Sequence, residues 1–280
     1  MTYDVVIPTA GDRRQTLEKC LASVREQHPP PQRIIVVNSG GELDVEGCEV
    51  VESPRRSASA QRNLGAAAAT ADRLVFLDDD VVLEPDTAAQ LCAVLSEDVL
   101  ASGGVVTGAV EFGERTWRSY LHALLGHTHI ALRPRERGSV FKASGCVSLV
   151  PAPTSPVDTE FLLGGLLACW RKTALDVPFA DLCDGYEDLD FSDRVSRIGR
   201  MIQTPAAKAH HLDAPMSRDT YQEGFPAAYF HWHAREPGLV GSTWWVVAHL
   251  TYALRIRRDA GPYLRGCADT VRRLWREQSW

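Results

Sequence analysis

Arg73-Leu74-Val75-Phe76-Leu77-Asp78-Asp79-Asp80 is the stretch on which the fold turns. An unbroken run of β-branched and aromatic residues has the length and composition of a strand buried on both faces. It stops at three consecutive carboxylates. Upstream, Asp4 to Pro8 repeats the buried-strand pattern. Leu17, Cys20, Leu21 and Val24 then recur at helical spacing and predict a helix over about 14–27, which His28-Pro29-Pro30-Pro31 ends. Arg33 to Val37 reads as a second strand leaving through Asn38-Ser39-Gly40-Gly41, Cys48 to Val51 as a short third, and Ser57 to Ala71 as an alanine-rich helix. Downstream, Pro85 suits a helix start, with Ala88, Leu91, Val94 and Leu95 on one face. Strand and helix alternate as in a parallel α/β sheet. Ligands bind outside the carboxyl ends of such strands, which marks the loops beginning at Pro8, Asn38 and Asp78.

Beyond residue 99 the rhythm is looser. Val105 to Phe112 and Phe141 to Val150 read as strands, with a helix around Trp117 to Leu125. Pro151 to Pro156 is the most linker-like stretch, and Phe161 to Trp170 contains Gly164-Gly165. Glu187 to Ile198 predicts a helix closed by Gly199, and Met201 to Thr204 a short strand before Pro205.

Two acidic clusters carry the chemistry. Asp78-Asp79-Asp80 is costly to assemble unless a cation sits within it. A divalent ion held by hard oxygen ligands is one answer, and a solvated loop capping the next helix is the other. On an extended segment Asp78 and Asp80 point the same way and Asp79 the opposite way. The second cluster, Gly185-Tyr186-Glu187-Asp188-Leu189-Asp190-Phe191-Ser192, places Glu187 and Asp190 on one helical face. Acids in a first helical turn also serve the helix dipole, so capping alone would account for them. If one cluster holds a metal and the other a base, the two form a bipartite active site.

Composition narrows the class. The 280 residues carry 36 acids and 30 basic residues, a net charge of −6, which is the wrong sign for a sequence-independent nucleic-acid binder. That charge divides into −9 for residues 1–215 and +3 for 216–280. The second part also holds 11 of the 22 aromatics and five of the seven tryptophans, so it has a surface of its own. None of the seven cysteines has Cys-x-x-Cys spacing, which argues against zinc, and most sit among apolar residues as free thiols do. The opening Met-Thr-Tyr-Asp-Val-Val has no basic segment leading into a long apolar one. No signal peptide is therefore expected, and a reducing cytoplasm is the expected compartment.

Four segments in order resemble the family-two glycosyltransferases: Val6-Ile7-Pro8-Thr9; Arg62-Asn63-Leu64-Gly65 leading into Val75-Phe76-Leu77-Asp78-Asp79-Asp80; Gly185 to Ser192 with Arg194; and Pro205 followed by His210-His211. The resemblance spans about residues 3–212. It implies the GT-A fold, an α/β architecture with a mixed, mainly parallel central sheet flanked by helices. A GT-A domain is expected over 1–215 and a helical extension over 216–280. It further implies a nucleotide-diphosphate sugar donor and Mn2+ or Mg2+. Pro8, Thr9, Arg13, Asn38, Arg62, Asp78 and Asp79 would line the nucleotide site. Asp80 and His211 would be the metal ligands, with His210 the alternative. Asp188 would be the base of an inverting displacement, and Glu187 would orient the acceptor or replace it as base. Gly164, Gly165 and Asp190 would lie against donor sugar or acceptor, with tight packing the other reading of the glycines. The family's second strand usually ends in an acid that contacts the nucleobase. Asn38 and Ser39 are neutral, so uridine, thymidine and guanosine donors all stay open.

The acceptor could be a carbohydrate, a lipid-linked glycan or a small molecule. Trp244 to Arg258 passes from apolar to basic, and Val271, Leu274 and Trp275 alternate with Arg272, Arg273 and Arg276. Such a segment either packs on the catalytic domain with its arginines solvated or lies on the inner face of an anionic membrane. An inactive binding module of the same fold, or a sugar-phosphate nucleotidyltransferase, are the competing functions. The latter wants a glycine-rich first loop, whereas Pro8 to Arg14 has one glycine.

Overall fold

The computed structural model describes residues 1–108, 138–141, 147–148, 152–181, 185–212, 231 and 238–277. Parallel pairing builds the first half. Strand β1 (Asp4–Thr9) lies between β2 (Arg33–Asn38) and β4 (Arg73–Leu77), and β3 (Glu49–Glu52) adds to the far side of β2. Helices α1 (Arg14–Arg25) and α2 (Ala58–Ala68) make the crossovers.

Side chains alternate across each strand, so the two faces of β1 feed different cores. Val5 and Ile7 pack with Leu17, Leu21 and Val24 of α1 and with Leu91 of α3 (Thr87–Ala93). Val6 packs on the other face with Ile35, Val37, Ala66 and Phe76. The alanine-rich character of α2 follows from this packing. A Cβ at Gly65 would stand 2.2 Å from Val6 Cγ1, so the helix lies against β1 at a distance a larger residue would forbid. Ser57 starts α2 by accepting the Ala60 N–H on its hydroxyl at 3.2 Å.

The second half departs from the parallel pattern. β10 (Leu166–Trp170) inserts antiparallel between β4 and β6 (Val99–Thr107). β11 (Arg200–His211) runs parallel to β6 and antiparallel to β5 (Val81–Leu83) and β9 (Val157–Asp158). The order is β3-β2-β1-β4-β10-β6-β11-β5. The expected mixed sheet flanked by helices is present, with β1–β2, β1–β4, β2–β3 and β6–β11 paired parallel and β10, β5 and β9 joining antiparallel. β7 (Val140–Phe141) and β8 (Val147–Ser148) form a small separate ribbon.

Helices α4 (Arg171–Asp176) and α5 (Glu187–Ser196) complete the layer over the second core. There Phe179 stacks on Phe191 at 4.5 Å between centroids. The expected strand over 201–204 is the first part of β11, which continues through Pro205 across an irregularity in its register with β6. The expected helix at Trp117 to Leu125 lies outside the described residues. Near the C-terminus, α6 (Leu239–Ile256) and α7 (Ala260–Glu277) form a hairpin closed on Trp245, Tyr263 and Cys267. The five described cysteines are free thiols, as their neighbours in sequence suggested.

Candidate active site

The carboxyl ends of β1, β2 and β4 meet the start of α5 and the end of β11, and the predicted residues gather there. Asp78, Asp79 and Asp80 leave β4 in a turn in which the Val81 N–H donates to Asp78 O at 3.1 Å. Asp79 is buried and accepts the Thr9 hydroxyl at 2.6 Å. Arg13 spans the loop, one guanidinium nitrogen 2.6 Å from Asp79 and the other 2.5 Å from Asp80. Burial raises the Asp79 carboxyl from its ordinary range, against the Thr9 hydrogen bond and the Arg13 charge, which lower it. The Arg13 side chain is 40% exposed, so this counterion stands at the mouth of the site.

His211 Nε2 stands 3.5 Å from Asp80 Oδ1. The register explains why it is this histidine. His211 pairs with Val81 across the β11–β5 ladder, and the Leu212 N–H donates to Asp80 O at 2.7 Å, so the strand end is tied to the acidic loop. His210 turns to the opposite face, beside Thr107 at 2.5 Å and Glu84 at 3.3 Å. Among the described residues no three His, Cys, Asp or Glu side chains form a cage for a metal by themselves. A hard divalent ion does not need one: Mg2+ and its like commonly take one or two protein ligands and complete their shell with waters and substrate phosphates. Asp80 and His211, an oxygen and a nitrogen at this separation, fit that pattern.

Arg62 joins the two acidic clusters. It projects from α2 with its side chain 3% exposed, 2.7 Å from Asp78 Oδ1 on one side and 2.7 Å from Glu187 Oε1 on the other. Burial favours loss of its proton, but the facing carboxylates of Asp78 and Glu187 outweigh that and hold the guanidinium charged. The Arg62 fork is thus turned inward and engaged by two carboxylates. Glu187 is further fixed by the Gly185 N–H at 2.7 Å.

Asp188, next on α5, is partly exposed. One of its oxygens accepts the Gly164 N–H at 3.1 Å and the other the Leu189 N–H at 2.8 Å. The partial burial of its carboxyl, with Glu187 beside it, pushes Asp188 up to about 7 despite those bonds and Arg62. Gly164 and Gly165 earn their type by close approach. A Cβ on Gly164 would lie 3.0 Å from Asp188 Cβ, and one on Gly165 would lie 3.1 Å from Asp78 Oδ2.

Two further predicted residues have their polar groups engaged by close neighbours. Asn38 ends β2 fully buried, donating to Gly41 O at 2.7 Å and accepting the Gly40 N–H at 3.0 Å, so its amide builds the turn. Glu52, its register partner at the end of β3, stands 3.3 Å from it and is exposed. Sequence reasoning missed this carboxylate because it lies fourteen residues from Asn38 and is brought there by strand pairing. Asp190 is buried and pairs with Arg194 one turn along α5, with Arg194 Nε at 2.9 Å. Its carboxylate is thus engaged within the helix.

This sheet, with an acidic loop at the end of β4 and a carboxylate-bearing helix facing it, has the GT-A glycosyltransferase architecture. The model of glycosyl transferase family 2 matches residues 4–150, and the chain belongs to that family. No curated protein matches it. Among solved structures it is similar to GalNAc-T7 with UDP, GalNAc and Mn2+, at TM-score 0.58 and 14% identity, over 88% of this chain and 54% of that one. The chain thus spans about half the length of that protein. It is also similar to the mannosyltransferase PcManGT from Pyrobaculum calidifontis in complex with GDP-Man and Mn2+, at TM-score 0.57 and 15% identity over 96% and 74% of the two chains. Glucosyl-3-phosphoglycerate synthase from Mycobacterium tuberculosis with Mn2+, UDP and glucosyl-3-phosphoglycerate follows at TM-score 0.55, 20% identity and 85% and 81% coverage. At these identities the likeness is one of fold.

Proposed function

We propose that this chain transfers a sugar, with inversion, from a nucleotide-diphosphate sugar to an acceptor hydroxyl. The observation that carries the reading is the Asp78–Arg62–Glu187 bridge, which fixes Asp188 beside the acidic loop. The acceptor oxygen would attack the anomeric carbon as the bond from that carbon to the diphosphate oxygen breaks. Asp188 would take the acceptor's proton, a role suited to a carboxyl held near 7. Glu187, already spent on Arg62, positions its neighbour rather than competing as base. Pro8, Thr9, Arg13, Asp78 and Asp79 would border the nucleotide, with Arg13 free to swing from the carboxylates to the diphosphate. Asp80 and His211 would hold Mn2+ or Mg2+, which when bound supplies positive charge to the leaving diphosphate.

The donor's base and sugar, and whether the acceptor is a carbohydrate, a lipid-linked glycan or a small molecule, belong to the same proposal. So do a catalytic unit over 1–215 with a C-terminal extension over 216–280, and a cytoplasmic site of action with peripheral membrane contact. The deciding experiment is Asp188→Asn, assayed with a panel of nucleotide-diphosphate sugars and Mn2+. Transfer should fall about 10²–10⁴-fold while nucleotide affinity holds. Unchanged transfer would remove Asp188 as base. A wild type that binds nucleotide diphosphate yet transfers to none of a broad acceptor set would favour the inactive binding module.

A further inference from the structure

The C-terminal hairpin leaves apolar side chains in water where a packed helix would bury them. α6 closes on α7 through Trp245, Tyr252 and Ile256 against Tyr263 and Cys267, and Ala248 and Ala253 are buried as well. Its opposite face carries Val246, Leu250 and Leu254 at successive four-residue steps, with Val240 and Trp244 nearer the start. Leu254 is 78% exposed, Val240 69% and Leu250 50%. On α7, Leu264 and Val271 are exposed seven residues apart and share one strip of the helix. Isolated exposed apolar residues are ordinary, but a sustained stripe along an 18-residue helix marks a contact surface.

The charges beside the stripe identify the partner. Residues 239–277 contain seven arginines and no lysine against three acids. Arg265, Arg272 and Arg276 fall at steps of seven and four on the strip adjoining Leu264 and Val271, and all three are exposed. Arg258, at the turn between the helices, is exposed as well. An apolar stripe flanked by arginines, with a tryptophan near one end, is complementary to an anionic lipid surface: acyl chains receive the leucines and headgroup phosphates receive the guanidinium groups. A second copy of the chain fits less well, because a twofold contact would set this arginine-flanked stripe against itself. Among the described residues no helix is long and apolar enough to cross a membrane, so the hairpin would lie in the interface.

We infer that the α6–α7 hairpin docks the chain onto anionic membrane surfaces through this stripe. The inference rests on the hairpin alone and not on the transfer reaction. It is tested by co-sedimentation of the full chain with vesicles of phosphatidylcholine, alone or mixed in equal parts with phosphatidylglycerol, at low and high salt. The wild type should bind the mixed vesicles, and less so in high salt. Each arginine near an anionic surface contributes roughly fivefold, so Arg265→Glu with Arg272→Glu should lower partitioning at least roughly 25-fold. Leu250→Glu with Leu254→Glu should abolish it, while transfer to a soluble acceptor stays as in the wild type. Both pairs are exposed, so melting temperatures should hold; if the leucine pair does not fold, the arginine pair still decides. A folded wild type that ignores anionic vesicles, or variants that bind them equally well, would overturn the inference. So would a wild-type dimer in light scattering that the leucine pair dissolves, which would assign the stripe to a second copy.

Discussion

The two acidic clusters are alike in composition and opposite in how they are neutralised. Asp79 and Asp80 face Arg13, whose side chain reaches solvent, and Asp80 has His211 beside it. Asp78 and Glu187 share Arg62, which is buried. A counterion at the mouth can leave when a ligand brings its own charge. A buried one cannot, because its departure strands the Glu187 carboxylate in a medium that solvates it poorly and leaves Asp78 without its partner. The Arg13 side of the first cluster is therefore built to exchange partners, and the Arg62 bridge between the clusters to hold a geometry.

Replacing each arginine by alanine should separate these roles. Arg62→Ala leaves Asp78 and Glu187 unpaired, and should cost about 3–5 kcal/mol of stability, read from the urea midpoint. Arg13→Ala breaks partly exposed pairs and should cost no more than about 1 kcal/mol. Its larger effect should be on binding of a nucleotide diphosphate in the presence of Mn2+, measured by calorimetry. Equal stability losses in the two variants would erase the contrast.

A smaller effect tests how tightly the second cluster is held. Gly164→Ala drives a methyl against Asp188 Cβ and the Arg62 guanidinium, at 3.0 and 3.2 Å. Overpacking of this kind costs about 1–3 kcal/mol, and if Asp188 is the base proposed above, transfer should fall further than stability alone explains, because its carboxyl is displaced. An alanine variant with wild-type transfer would show that Asp188 has room to move.

Much of this was legible locally. The run ending in Asp78-Asp79-Asp80 and the first turn of α5 announce themselves by composition, and parallel βα units show their periodicity within a dozen residues. What escaped is set by distant pairing. β10 inserts antiparallel between β4 and β6 on contacts about 65–95 residues apart in sequence, which no local pattern encodes. The choice of His211 over His210 depends on strand register with Val81. Asn38 and Arg62 were matched by position, but a match does not reveal that the amide engages its own turn or the guanidinium two carboxylates.

Acidity supplies the finest test of the contrast. A base with a carboxyl near 7 makes kcat/KM fall about tenfold per pH unit below that value, and a profile flat between pH 5 and 8 would count against it. The same shift touches stability. In the unfolded chain an aspartate titrates near 3.9, so between about 4 and 7 the folded state holds the Asp188 proton and the unfolded state releases it. Stability from this group is therefore greatest below about pH 4 and is lost as pH rises towards 7, beyond which the penalty is constant. Asp188→Asn removes the titration. Asparagine also loses one of the two acceptors that meet Gly164 and Leu189, so the absolute stability of the variant is not the readout. The readout is the difference in melting temperature between variant and wild type, which should move in favour of the variant by about 2 °C or more between pH 5 and pH 8. A difference independent of pH would mean that Asp188 ionises as freely as a surface carboxylate, and the two clusters would then differ in their counterions but not in their acidity.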